Sequence, residues 1–258
     1  MSLGDLVKRI EPSGGGFVLH GADGWTQGRT MYGGASTLIA YAAARRAFAD
    51  LPPLRGAQVG FVGPVGEDLD ISVSMLRQGR NVSQVVTDMF CDGQIVHRCL
   101  WLFGSAREPN AKVEPQRVEG VLAVDTADEM PPPMDNLHFI RKLELRRAEG
   151  RGGSRPGTVR RWARFRERSG LDPIGELLGI GDALPPGSMR TMRRRGPISS
   201  INWSLTLLND HPQTRDGWWL LETSSNFADD GFSSETLRCW NADGVEVMRG
   251  LQSVAIFG

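Results

Sequence analysis

The first long apolar stretch of the chain has the spacing of a helix. Ala35, Leu38, Ile39, Ala42, Ala43 and Ala47 recur at that spacing through about residue 50, and charge arrives late, at Arg45 and Arg46. An element apolar nearly all round predicts a helix buried on most sides. Gly33-Gly34 opens it and Pro52-Pro53 ends it. Before it, the glycine-rich residues 1–28 predict a strand or two. After it come four strand-like segments. In one of them Leu69, Ile71, Val73 and Met75 alternate with Asp70, Ser72 and Ser74, the period of a half-buried strand. Gln78-Gly-Arg-Asn81 reads as a turn.

Periodicity is lost over 106–136, an acidic stretch that contains Pro131-Pro132-Pro133 and predicts a linker between domains at 1–105 and 137–258. The order of elements then repeats. Strands are expected over 139–147 and 159–166, separated by a glycine-arginine loop. A helix follows, capped by Asp172 with Pro173 at its first position and an apolar stripe of Ile174, Leu177 and Leu178. Further strands are expected over 198–208, 217–226, 234–241 and 245–257. The last hairpins match when Gly93 is set on Gly244: an apolar strand end, Asp92-Gly93 or Asp243-Gly244 as a tight turn, then a second strand. Under that alignment Trp101 in the first half corresponds to Gln252 in the second. A buried helix with an antiparallel meander, made twice, predicts an α+β fold of two fused hotdog domains, each a sheet wrapped around a central helix.

Composition narrows the partners. Thirty basic and thirty acidic residues cancel, which argues against a general nucleic-acid or anionic-membrane binder. Cys91, Cys99 and Cys239 are odd in number and lack metal spacing; two of them lie in expected strands, where they read as small buried residues, and the set points to a reducing cytoplasm. No run is long enough to span a bilayer, and the N-terminus lacks a signal-peptide core. His20, His138 and His211 show no metal spacing.

Several short motifs resemble the acyl-CoA thioesterase II family of double-hotdog thioesterases. They are Arg29-Thr-Met-Tyr-Gly-Gly34, Gly60-Phe-Val-Gly-Pro-Val-Gly-Glu-Asp68, Leu76-Arg-Gln-Gly-Arg-Asn-Val-Ser83, Ile180-Gly-Asp182, Ile198-Ser-Ser-Ile201, Asp243-Gly244 and Leu251-Gln252. Their order and spacing cover nearly the whole chain. The resemblance implies hydrolysis of an acyl-CoA thioester, with no metal or other cofactor, by a water-activating trio that falls on Asp182, Ser200 and Gln252. The hydroxyl is serine here, where the best-known members have threonine.

Each candidate has a plainer reading beside the chemical one. Asp182 lies near the negative end of the second helix, where burial would raise its pKa toward that of a general base; otherwise it is a solvated loop residue. Gln252 shares a strand face with Met248, Gly250, Val254 and Ile256, so its amide either holds a water with a carboxylate or bonds to backbone. Ser200 shares its alternation with Asn202 and Ser204, a polar face open to solvent. Gly33 and Gly34 offer helix N-terminal N–H groups to an oxyanion, or meet a steric need. Arg193, Arg194 and Arg195 suit CoA phosphates, or form a solvated surface. Two other function classes fit the same fold: a non-catalytic acyl-CoA or lipid binder, and an enoyl-CoA hydratase or dehydratase. Asp92 and His97 have the Asp-x4-His spacing of hotdog hydratases, but Asp92 falls in a hairpin turn. Homo-oligomerisation is left open.

Overall fold

A computed structural model describes residues 1–131, 138–149 and 155–257. Pro132, Pro133, most of the glycine-arginine loop and the boundary at residue 137 lie outside the described residues. The chain opens with a helix, α1 (Leu3–Lys8), where strands were expected. Ser2 and Asp5 form a reciprocal capping box at its start, which fixes this short helix locally. Four short strands follow: β1 (Glu11–Ser13), β2 (Gly16–Leu19), β3 (Thr26–Gln27) and β4 (Thr30–Met31). The long helix α2 (Gly33–Ala47) stops three residues short of the expected end, and Gly34 to Ala44 are all buried. A meander follows: β5 (Leu54–Phe61), β6 (Leu69–Gln78), β7 (Val82–Cys91) and β8 (Gln94–Gly104).

The second half contains β9 (Leu143–Arg147), β10 (Thr158–Phe165), α3 (Pro173–Ile180), β11 (Ile198–Leu207), β12 (Trp219–Asp229), β13 (Phe232–Trp240) and β14 (Glu246–Ile256). The expected strand start at 139 is instead a 3-10 turn, His138–Lys142. Asp172 caps α3 as expected, its carboxylate accepting from Ile174 N and Gly175 N at 2.9 Å each.

Twelve strands form one antiparallel sheet in the order β1-β2-β6-β7-β8-β5-β11-β14-β13-β12-β10-β9. Counted outward from the centre, the two halves have the same connectivity. Their seam is β5 against β11, from Gly60↔Asn202 to Gly56↔Thr206. Even the irregularities repeat. One register shift falls between Leu54 and Gly56 and its counterpart between Ser200 and Asn202. A second falls between Met89 and Phe90, with its counterpart between Cys239 and Trp240. The hairpin turns differ in detail. Asp92-Gly93 has positive φ at both residues, whereas of Asp243-Gly244 only the glycine does. The register nonetheless keeps Trp101 equivalent to Gln252, and it makes Val85 equivalent to Glu235 and Leu54 to Ser200.

One apolar core runs through both halves and joins Ala35, Leu38 and Ile39 of α2 to Leu177, Leu178 and Ile180 of α3. The helices touch at Gly34, where an added methyl would collide with the Gly179 carbonyl. A second, smaller core lies on the outer face of the second half: Trp162, Trp218, Leu220 and Trp240 under Val124 and Ala127. The segment expected to be a linker therefore packs. Trp162 Nε1 donates to Leu122 O at 2.9 Å, and Arg117 and Glu129 bridge to Val245 and Arg146. Arg146 and Arg164 both stack over the Trp218 ring, and Glu144 bridges the two arginines.

The helix contact is testable. Gly34→Ala forces a methyl into backbone and should destabilise the protein by about 1–3 kcal/mol, seen as a lower urea midpoint. Gly63→Ala, whose methyl would come no nearer than 3.6 Å to any neighbour, the nearest being Val96, should change stability by less than about 0.5 kcal/mol.

Candidate functional site

The site forms where the start of α2 faces the end of α3. Helix α3 stops at Ile180, and Gly181 N still bonds back to Leu177 O at 2.8 Å. The chain then turns through Asp182. Thr223 Oγ1, donating to Pro185 O at 2.7 Å, holds the next part of the turn. Asp182 Oδ1 accepts from Gln252 Nε2 at 2.9 Å. Its other oxygen lies so close to Gly33 that a methyl there would collide with it; the same methyl would sit 2.8 Å from Phe61 Cε1. Trp203 and Met248 press on Gly181 from the sheet side. The carboxyl is thus crowded by Gln252, Gly33 and the residues around them, in a residue that is half-buried as a whole.

Burial controls its ionisation. Removal from water raises the Asp182 pKa to about 7, and the hydrogen bond from Gln252 opposes this only in part. A charged carboxylate is costly in such a setting. Beside it, α2 begins at Tyr32 with no side-chain cap for its first N–H groups, so the positive end of a long helix faces the site.

The structure joins three of the expected residues, Asp182, Gln252 and Gly33. Gly34 is one residue further, against α3. Ser200 is a correction: it does not share a face with Asn202 and Ser204. The irregularity at Ile201 puts Ser200 opposite Val254, on the inward face that also carries Gln252, while Asn202 stands opposite Ser253. A one-residue bulge exchanges the two faces of a strand. Ser200 is half-buried and sits one pleat repeat, about 7 Å, along from the Gln252 pair; its hydroxyl bonds to neither Asp182 nor Gln252. Arg193, Arg194 and Arg195 are exposed in the loop before β11.

Other residues of the site were missed. Glu235 is fully buried opposite Gln252 in β13. Its carboxylate accepts from Gly187 N at 2.8 Å, Ser188 N at 3.2 Å and Ser233 Oγ at 2.8 Å, pinning the turn after Asp182 to the sheet. Its signal was an acid in the inward register of Ser233, Leu237 and Cys239. Phe61 and Tyr32 line the α2 side. His97 lies behind Phe61, with ring centres 5.4 Å apart, and burial lowers its pKa to about 3, so it is neutral across the working range. Asp92 lies in the β7–β8 turn, apart from any helix end. No cluster of three metal-ligating side chains exists among the described residues, and among them no helix is long and apolar enough to cross a membrane.

An enclosed carboxyl of raised pKa, oriented by an amide and set beside a helix N-terminus, can take a proton from water near neutral pH and stabilise negative charge on an adjacent oxygen. Residues 22–104 match the acyl-CoA thioesterase N-terminal domain, and residues 119–256 match the acyl-CoA thioesterase C-terminal domain. No curated protein matches the chain in sequence. Among solved structures it is similar to a hot dog fold protein of unknown function from Alicyclobacillus acidocaldarius, with 18% identity, 100% and 99% of the two chains covered and a TM-score of 0.87. It is also similar to a tesB protein of Mycobacterium avium subs paratuberculosis, at 19% identity, 100% coverage of both chains and a TM-score of 0.76. An acyl-CoA thioesterase II of Mycobacterium marinum gives 17% identity, 98% and 97% coverage and a TM-score of 0.75.

The raised pKa has a sign that stability reports. Between the ordinary aspartate value of 3.8 and about 7, the unfolded chain releases a proton that the folded protein keeps. This contribution is fully present below the lower value and is lost as pH rises through the upper one. Asp182→Asn, which keeps an oxygen for Gln252, should therefore gain stability over wild type as pH rises, by up to about 4 kcal/mol. Urea unfolding at about pH 4, 5.5 and 8 checks this; a difference independent of pH would mean that the carboxyl titrates normally.

Proposed function

The chain belongs to the acyl-CoA thioesterase family, and from that premise we propose that it hydrolyses an acyl-CoA thioester with Asp182 as general base. The observation that carries this reading is the hydrogen bond from Gln252 Nε2 to Asp182 Oδ1, 2.9 Å long, formed against Gly33 at the start of α2.

In the reaction Asp182 takes a proton from a water as that water's oxygen bonds to the thioester carbonyl carbon. Gln252 orients the carboxylate and the water. Ser200, on the same inward face, gives the water a further polar contact. The carbonyl oxygen becomes an oxyanion and faces the main-chain N–H groups of Gly33 and Gly34, where the helix N-terminus favours negative charge. Collapse restores the carbonyl and breaks the C–S bond. The sulfur leaves with the proton that Asp182 had taken, giving free CoA thiol and a carboxylic acid. A pKa near the working pH suits both halves of this exchange. Arg193, Arg194 and Arg195 supply positive charge to the CoA phosphates.

Free-thiol release from short, long and aromatic acyl-CoAs tests the activity; no release from any of them would favour a non-catalytic acyl-CoA binder. Turnover should rise with pH through about 7 as Asp182 deprotonates. Asp182→Asn should lower kcat by about 10²–10⁴-fold, Gln252→Ala less, and Ser200→Ala least, with acyl-CoA affinity retained in all three. Near-normal turnover in Asp182→Asn would eliminate it as the base.

Replacing Arg193, Arg194 and Arg195 together by alanine should raise KM more at low salt than at high, because exposed charges act through screened solvent. An unchanged KM would mark the loop as solvated surface.

A further inference from the structure

Gln252 and Asp182 meet across the gap between the sheet and the end of α3, and one large side chain fills the gap beside them. Trp203 on β11 is the direct cross-strand partner of Gln252 on β14, and it is fully buried on the inward face. Its indole leans from its own strand onto β14. There it covers Gly250, where a methyl would lie 2.7 Å from Nε1 and 3.2 Å from Cδ1. The far corner of the ring reaches the end of α3: a methyl on Gly181 would lie 3.0 Å from Trp203 Cη2. The indole is therefore clamped between a strand glycine two residues from Gln252 and the glycine that precedes Asp182.

Both glycines make room for the same ring. Gly250 stands between Met248 and Gln252 on the inward face of β14, and a side chain there would take the place of the indole. Met248 also touches Gly181. The end of α3 thus rests on Met248 and Trp203, and beside them the Gln252 amide rises to Asp182 Oδ1 at 2.9 Å. Among the described residues the Trp203 indole N–H has no hydrogen-bond partner, so the ring is held by its shape. A close-packed interior passes such a shape on to its neighbours: a smaller ring would let the Asp182 turn settle or let water in under it.

We propose that Trp203 is a positioning residue for the reaction, its indole setting the separation between the Asp182 turn and the Gln252 strand and excluding water from beneath the carboxyl. The proposal rests on the reading of Asp182 as general base. It concerns what places that base and not what the base does. The titratable groups on the elements around the carboxyl are otherwise engaged. Tyr32, at the cap of α2, is kept a neutral phenol by burial and by the charge of Asp182. Glu176 of α3 accepts from Trp219 Nε1 at 3.0 Å. Glu235 on β13 is occupied by the Gly187 and Ser188 N–H groups, and His97 on β8 is kept neutral by burial behind Phe61.

Trp203→Phe is the test, because it keeps an aromatic ring in the core but shortens the spacer. With water admitted, the Asp182 pKa should fall toward the ordinary carboxylate value. Expected results are a kcat about 10- to 100-fold lower, an unchanged KM, and an acid limb of the kcat profile displaced downward by about one pH unit or more. The substitution also removes buried surface, so stability falls whatever the role of the ring. Trp162→Phe, in the outer core, is the control for that loss; it should lower stability comparably and move neither kcat nor the acid limb. A second readout needs no turnover. The pH dependence of the stability difference between wild type and Asp182→Asn is measured in the Trp203 and the Trp203→Phe backgrounds, and its upper inflection should lie lower in the latter. An inflection that stays in place or rises would make Trp203 a packing residue only and overturn the proposal, as would a lowered inflection with kcat unchanged. An inactive wild type would remove the hydrolase reading, while the stability inflection would still decide whether Trp203 places the carboxyl.

Discussion

Two helices approach at a point where no side chain fits, and the site exists because of it. Gly34 rests on the Gly179 carbonyl, and one residue earlier Gly33 admits a carboxylate oxygen of Asp182. An alanine at either position would push the start of α2 off the end of α3. The close contact is permitted by the composition of α2, in which alanines replace the larger residues of an ordinary core helix. The contact brings together two helix ends of opposite partial charge. The α2 start offers N–H groups, and the α3 end carries the acid that is shielded from water. The raised proton affinity of Asp182 is therefore a product of packing between the halves and belongs to neither half alone.

The duplication explains why the second half supplies the polar members. Register equivalence pairs Gln252 with Trp101, Glu235 with Val85 and Ser200 with Leu54. In the first half that inward patch is apolar: Trp101 is fully buried, its indole N–H bonded to Thr87 at 3.0 Å, and Leu54 and Val85 are core residues. In the second half the same pleats carry an amide, an acid and a hydroxyl. The acid is satisfied by main-chain N–H groups of the turn that follows Asp182, so polarity in this layer also shapes the loop that presents the base. One half keeps a dry core and lends glycines; the other accepts buried polar groups and the burden of satisfying them.

Much of this was legible in the residues. Period three to four over 35–47 and period two over 69–75 gave the right elements, Asp172-Pro173 marked the start of α3, and the recurrence around Gly93 and Gly244 located the duplication. Gln252 was visible as an amide in an apolar register. What escaped had physical reasons. Helix α1 did leave a trace, a Ser2–Asp5 capping pair with Leu3, Leu6, Val7 and Ile10 at helical spacing, but the helix is only six residues long and the glycines that follow drew the reading toward strands. Ser200 was assigned to the wrong face because alternation assumes an unbroken pleat, and the extra residue at Ile201 breaks it. Glu235 stood in plain alternation with buried neighbours, yet its solvation comes from N–H groups 47 and 48 positions earlier in the chain. Trp203 gave no hint at all, because a strand residue whose ring crosses to a helix end is a purely tertiary arrangement.

The strip of chain between the halves has a consequence for where the molecule can be divided. Residues 105–114 are exposed, but between Gln116 and Met130 the strip adheres to the second sheet, with Gln116 Oε1 accepting from Arg238 at 3.0 Å, Val124 and Ala127 lying over Trp162, Trp218 and Trp240, and Met130 N donating to Leu145 O. A fragment begun at residue 137 would turn those indoles toward water and become sticky, whereas one begun just before Gln116 would carry its own cover. The exposed part of the described strip is thus short. Short tethers keep attached partners at high effective concentration, so if the β5–β11 seam opened, the two halves would meet again far sooner than either could find a stranger.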